Sequence, residues 1–253
     1  GGFFDASNSR LGFLVRNANG HPVGSFFGYE VDGLFQSAAE VAAAPAQTDA
    51  APGRFRYKDI NGDGEITPDD RTFFGDPNPD FTYGLNLSAN FKQFDISTIL
   101  YGSQGNKAIN YVRYWTDFMG TFIGGKSRAL MNAWSPSNPG ATTPIAETAN
   151  TFSTTGVFNS YYMEDASFLK MRSLQIGYTL PTAAMSRFGV KRLRVYAQGA
   201  NLFTITKYSG LDPELTPSSG NLGGGQQSAA FGIDYGNYPN NQKSFLLGVN
   251  LSF

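Results

Sequence analysis

The chain has 253 residues, with 22 Phe, 13 Tyr and 30 Gly, 15% charged residues, no Cys and a formal net charge of -1. That balance argues against a nucleic-acid partner held by phosphate neutralisation, and the lack of Cys excludes disulfides and thiolate metal sites. No run of about 18 apolar residues occurs, so no transmembrane helix is available, and the membrane-spanning option left open is a β-barrel of alternating strands.

Gly1 is not an initiator Met and no signal peptide precedes it, which predicts a processed chain or part of a longer one. Between Phe3 and Phe35 strand signals are weak. His21, the only His, precedes Pro22 in a Gly/Asn-rich turn and reads as an ordinary loop residue. Residues 38–51 are Ala-rich with Pro45 inside, predicting a short helix and then a loop.

Residues 59–70 match an EF-hand-type calcium loop. Asp59, Asn61 and Asp63 stand at the first, third and fifth loop positions, and Gly64 permits the sharp turn. Glu65 offers its backbone carbonyl, Ile66 is the apolar anchor, and Asp70 takes the last position, where Glu is usual. Hard oxygen donors point to a structural Ca2+. The plainer alternative is an Asx-rich turn closed by side-chain to backbone bonds.

The clearest strand comes next in the chain. Phe81, Tyr83, Leu85, Leu87, Ala89 and Phe91 alternate with Thr82, Gly84, Asn86, Ser88 and Asn90. That is the length of one tilted membrane strand. Lys92 and Gln93 predict a very short turn into a second run carrying Phe94, Ile96, Thr98 and Leu100. Residues 102–167 form a long connection with two short helical stretches, 111–119 and 126–134. Loops of that length are usually functional. Its Tyr111, Tyr114, Trp115 and Trp134 are candidates for stacking on sugar rings, with loop-core packing as the alternative.

Three further runs alternate: Leu174, Ile176, Tyr178 and Leu180; Leu193, Val195 and Ala197; and Phe245, Leu247, Val249, Leu251 and Phe253. Residues 218–228 are rich in Gly, Ser, Asn and Gln and read as a mobile loop. The faces opposite the apolar ones carry Gly, Ser, Asn and Gln, which suits a crowded hydrated lumen better than a solvated soluble sheet. Aromatics gather at strand ends, as in interfacial girdles.

Catalytic signals are thin. No nucleophile elbow or phosphate-binding loop is present; Gly223–Gly225 lacks a following Lys. The carboxylate pairs Asp69 and Asp70, Glu164 and Asp165, and Asp212 and Glu214 read as caps and turns rather than as glycosidase acids. The chain is read as not an enzyme.

Several stretches, in order, resemble SusC/RagA-type TonB-dependent transporters. They are 22–36, the loop 59–70 followed by Gly75-Asp76-Pro77-Asn78-Pro79-Asp80-Phe81, residues 168–174, Gly177-Tyr178-Thr179-Leu180-Pro181, Asn201-Leu202-Phe203, residues 208–214, and Tyr238-Pro239 on to Phe253. The resemblance implies an all-β fold: the partial antiparallel barrel of an outer-membrane importer, occupying 1–253, with long extracellular loops and short helical insertions. It also implies import of glycans, oligosaccharides or peptides, with outer-membrane lipid, a SusD-type surface lipoprotein and TonB as partners. The plug and the TonB-contact segment have no counterpart here, so an open sheet with unpaired edges is expected, built on five firm strands, or eight with the weaker ones. Ending on Phe253 predicts an intact native C-terminus, with the missing part upstream. The competing expectation is a soluble or surface-attached calcium-binding carbohydrate-recognition module without transport.

Overall fold

The structure is a computed structural model and describes residues 2–8, 10–181, 189–215, 231–236 and 241–253. In chain order the strands are β1 (Gly2–Asn8), β2 (Gly12–Ala18), β3 (Phe26–Tyr29), β4 (Val31–Leu34), β5 (Phe55–Tyr57), β6 (Arg71–Gly75), β7 (Phe81–Phe91) and β8 (Phe94–Gln104). They continue as β9 (Lys107–Asn110), β10 (Met163–Asp165), β11 (Phe168–Thr179), β12 (Arg192–Ala200), β13 (Thr204–Thr206), β14 (Ile233–Asp234) and β15 (Ser244–Ser252). Helices α1 (Ala38–Ala43) and α2 (Val112–Thr116) are short. Among the described residues no helix is long and apolar enough to cross a membrane.

The chain divides into two compact units. The first comprises 1–78, 107–164 and 215–237; the second comprises 79–106, 165–214 and 238–253.

The first unit contains three small sheets, ordered β1-β2-β3-β6, β10-β9-β14 and β4-β5. Helix α1 begins where Ser37 accepts a hydrogen bond from the Glu40 N–H, and it ends before Pro45, whose ring disfavours helical backbone in the residue ahead of it. The core is aromatic: Tyr29, Phe55, Tyr57, Phe158 and Tyr162 are buried together. The Tyr57 hydroxyl donates to the Phe152 carbonyl and accepts from the Asn159 amide, so that a polar tip is satisfied inside an apolar cluster.

The second unit is one antiparallel sheet ordered β15-β12-β11-β8-β7, with β13 also paired to β11. The five long strands are the five firm ones of the sequence pattern. β7 and β8 pair from Phe81↔Gln104 to Phe91↔Phe94 across the two-residue turn of Lys92 and Gln93, with Lys92 at φ 53°. Strands of 11 residues extend about 36 Å, enough to cross an apolar layer of about 25 Å when tilted by about 45°. The sheet is open, with β7 and β15 as its edges.

Strand β11 is irregular at one point: its register shifts between Met171 and Ser173, leaving Arg172 as an extra residue. Opposite it, Asn201 takes φ 52° and its N–H donates to the Arg172 carbonyl, while the Met171 N–H donates to the Phe203 carbonyl. β12 and β13 are therefore two parts of one strand course, interrupted by a bulge, and both pair with β11.

Candidate functional site

The register of the second unit sorts its side chains into two faces. Ala89, Ile96, Ile176, Ala197 and Leu247 stand in one row across all five strands, because each is the direct partner of the next. Side chains two residues away on each strand lie on that same face. Leu85, Leu87, Leu100, Leu174, Val195 and Val249 therefore join this row. The face is solvent-exposed: Ile176 is 48% exposed, Phe245 79% and Leu247 86%. An exposed apolar patch of this extent marks a surface that is covered in use.

Aromatics frame that face. Toward the β7–β8 turn stand Phe91, Phe94 and Tyr178, with the Phe94 and Tyr178 rings 4.8 Å apart. Toward the other end stand Phe81, Tyr83 and Phe245. The middle of the face is aliphatic. Aromatic bands at both margins of an aliphatic belt match the interfaces and hydrocarbon of a bilayer.

The opposite face is mainly polar: it carries Ser97, Gln175, Gln198 and Asn250 with Gly84, Gly177 and Gly248, and among them the exposed Ile99 and Leu246. Asp95 accepts from Arg194 Nε at 2.9 Å across Gly177 of the intervening strand. A Cβ at Gly177 would lie 2.4 Å from that guanidinium, so glycine makes room for the bridge. Tyr196 likewise covers Gly248 on the neighbouring strand.

The loop 59–70 is closed by its own side chains. Asp59 accepts from the N–H groups of Gly62 and Gly64, Asn61 Oδ1 from the Asp63 N–H, and Asp63 Oδ1 from the Glu65 N–H. The loop is tethered to Ala46, whose N–H donates to the Gly64 carbonyl and whose carbonyl accepts from the Ile66 N–H. Asp70, the expected last ligand, is engaged with backbone. It is buried, and its carboxylate accepts from the N–H groups of Thr67 (2.7 Å), Ile60 (2.9 Å) and Asn61 (3.4 Å). Thr67 caps the 3-10 turn Pro68–Asp70, so Asp70 completes a capping box. Burial works against its charge, but the three N–H donors outweigh burial and hold its pKa below the ordinary carboxylate value. Being shorter than Glu, Asp at the last loop position reaches backbone more readily than a central ion. Among the described residues no three acidic or His side chains converge as a metal cluster. What faces outward is Asp59, Asn61 and Asp63, with the Glu65 carbonyl alongside in sequence.

The four aromatic candidates lie in or against the core of the first unit, the packing alternative open for them. Tyr111, Tyr114 and Trp134 are buried, and Trp115 is partly buried against the same core. Tyr111 stacks on Tyr114 at 5.3 Å, and Trp115 meets Tyr114 edge-on at 4.9 Å. The Trp134 indole N–H donates to Gln36, and its ring covers Gly53. The reason is that the long connection packs into the core it shares with Phe26, Tyr29, Phe55 and Tyr57, and large aromatic rings supply much of that buried area.

The carboxylate pairs are engaged structurally. Glu164 accepts from the Asn110 amide and lies 3.6 Å from Arg113, and Asp165 accepts from Ser167. His21 stacks on Phe73 at 3.6 Å. The expected mobile loop 218–228, with Gly223–Gly225, and the resemblance at Tyr238-Pro239 lie outside the described residues.

Two charge networks escaped the sequence reading. Asp117, buried, accepts from Arg113 Nε, the Tyr161 hydroxyl and the Ser127 hydroxyl. Lys170, fully buried in β11, bonds Asp212 and Glu214. The available signal was a Lys and an Arg inside an otherwise apolar strand run, and it gave no partner.

No protein-family model matches the chain. TonB-dependent receptor P3 of Formosa agariphila is 34% identical over 92% of this chain and 22% of the relative. TonB-dependent receptor SusC of Bacteroides thetaiotaomicron is 31% identical over 78% of this chain and 17% of the relative. Among solved structures, the RagAB peptide transporter superposes with a TM-score of 0.70 over 99% of this chain and 24% of that one, at 23% identity. The chain thus spans about a fifth of the length of the curated relatives it matches.

Proposed function

As a segment homologous to TonB-dependent receptors over 92% of its length, the chain belongs with the SusC/RagA-type receptors of the outer membrane, and we propose that it builds part of the wall and mouth of an active importer. The observation that carries this is the two-faced sheet of the second unit. One face is aliphatic, exposed and framed by aromatics, and the other is mainly Ser, Gln, Asn and Gly, with Ile99 and Leu246 among them. Lipid covers the first face and the second lines a hydrated lumen. A soluble binding module has no use for such an exposed apolar face.

In this reading the substrate is a glycan, oligosaccharide or peptide, and a SusD-type surface lipoprotein closes the mouth. Energy arrives from TonB through parts of the receptor outside this sequence. No catalytic role is assigned. The buried rings of Tyr111, Tyr114 and Trp134 act by shaping the long connection rather than by stacking on substrate. Calcium is an accessory in this proposal. Asp59, Asn61, Asp63 and the Glu65 carbonyl would hold it as hard oxygen donors, while Asp70 fastens the loop from beneath.

The test uses the full-length receptor in its own cell, with and without TonB. The expected result is a heat-modifiable band in the outer-membrane fraction and TonB-dependent uptake of labelled oligosaccharide or peptide. Recovery of the receptor in the soluble fraction would overturn the proposal.

A further inference from the structure

Lys170 has no exposed side-chain surface, yet it sits in the sheet on the polar face, opposite Tyr101. A buried ammonium is tolerated only when it is paired and hydrogen-bonded. Its partners come from a segment about 40 residues away in sequence: Asp212 Oδ1 at 3.1 Å and Glu214 Oε2 at 2.8 Å. The other Glu214 oxygen accepts from Arg172, the extra residue of the β11 bulge. The Arg172 guanidinium lies 5.1 Å from the Tyr101 ring centroid. Two cations and two carboxylates thus close a neutral network. Asp212 also accepts from the Glu214 N–H, which fixes the turn that presents both acids.

The segment carrying those acids follows β13. Tyr208 is buried, and its N–H donates to Thr206, whose hydroxyl donates in turn to the Ser167 carbonyl. The chain returning toward β15 is fastened at the same place. The Asn241 amide donates to the Leu211 carbonyl, and the Asn201 amide donates to the Gln242 carbonyl.

We propose that Lys170 and Arg172 form, with Asp212 and Glu214, a latch that folds residues 207–214 onto the polar face of the sheet. The root of the long β13–β15 connection is thereby a static part of the receptor mouth. Opening the segment leaves Lys170 without its partners inside the wall, so the latch releases as a unit rather than by fraying. The bulge at Arg172 gains a purpose: it aims a second cation at Glu214 without moving Lys170 out of register. The inference rests on the sheet's being a receptor wall, but its test does not need that reading to hold.

Lys207 is exposed and precedes the buried Tyr208, so trypsin cleavage after Lys207 reports on release of the segment. The full-length receptor is digested in its isolated membranes, and the peptide ending at Lys207 is quantified. Lys170→Met leaves Asp212 without its cation and Glu214 with Arg172 alone, and is expected to speed this cut at least about tenfold. The triple variant Lys170→Met, Asp212→Asn, Glu214→Gln is expected to be cut more slowly than Lys170→Met alone, because the stranded charges are gone. Cleavage of wild type is expected to change less than about twofold between low and high salt, since Lys170 and Asp212 are buried and only the Arg172–Glu214 arm is partly exposed. A Lys170→Met receptor that assembles and is cut within about twofold of wild type overturns the latch. Where Lys170→Met does not assemble, Glu214→Gln decides: acceleration supports the latch, and a rate within about twofold of wild type overturns it. The cleavage ratio is read whichever fraction the receptor enters, so failure of the wall reading and failure of the latch are separate results.

Discussion

The Tyr83 ring lies flat across Gly102, its register partner on the neighbouring strand, so closely that a Cβ on Gly102 would fall 2.2 Å from the ring. The ring fills the gap that the glycine leaves on the apolar face, and the glycine lets the ring lie down at the strand end. Gly102→Val is expected to push Tyr83 off the sheet and cost about 1–3 kcal/mol. The double variant Tyr83→Ala, Gly102→Val should lose less than the two single variants added together. Urea titration of the folded receptor in detergent measures both. Strict additivity would show that the contact carries no energy.

The two faces predict opposite outcomes for one substitution at adjacent positions. Ile176→Arg puts a cation on the lipid face, one step inside the Tyr178 band, and is expected to cost about 1–2 kcal/mol, between the midplane and interfacial values. Gln175→Arg puts the same side chain on the polar face and is expected to be near neutral. The readout is the heat-modifiable fraction in outer membranes. Equal tolerance at the two positions would contradict a bilayer on the Ile176 side.

Asp70 gives the loop a defined acid response. Its folded pKa is lowered: burial opposes the charge, but the N–H groups of Thr67, Ile60 and Asn61 overcome it. A lowered pKa contributes stability that is present above the unfolded value, 3.8, and is lost as pH falls through the folded value. Hydrogen exchange of 60–70, taken relative to its intrinsic rate at each pH, is therefore expected to quicken below about pH 4 in wild type. In Asp70→Asn it should be fast already at neutral pH and insensitive to acid. A wild-type loop indifferent to acid would remove Asp70 as the fastener.

Calcium makes a separate prediction on the same loop. If Asp59, Asn61 and Asp63 hold the ion, adding calcium protects 59–65 from exchange, and Asp59→Ala with Asp63→Ala abolishes that protection. The response should survive in Asp70→Glu, which restores the longer side chain usual at that position. Protection that is identical with chelator and with calcium excludes the ion from this loop.

The range of each interaction decides how much of the molecule was legible in the chain. The five long strands, the turn at Lys92 and Gln93 and the two faces were readable because strand period and burial act between near neighbours. The internal bonds of Asp59, Asn61 and Asp63 were readable as an Asx-rich alternative for the same reason. The backbone partners of Asp70 were not legible, because a carboxylate at the end of a calcium loop and one in a capping box leave the same letter in the sequence. For Tyr111, Tyr114 and Trp134 both readings stayed open in the sequence, because an aromatic in a long loop looks the same whether it faces a ligand or a core. The Lys170 network was illegible: its partners are 42 and 44 residues away, and no local pattern pairs them.

Placing those aromatics in the core is itself testable. Trp134→Ala removes a buried ring and the hydrogen bond to Gln36, and Tyr114→Ala opens the stack with Tyr111. Each is expected to cost about 3–5 kcal/mol in the first unit. Exchange protection should fall across the connection 107–164 as a whole, because the rings pack on one another rather than on a ligand. Uptake should then fall in proportion to the folded receptor present, with the substrate concentration for half-maximal uptake unchanged. A variant that keeps full protection and raises that concentration about tenfold would return the ring to a substrate-stacking role.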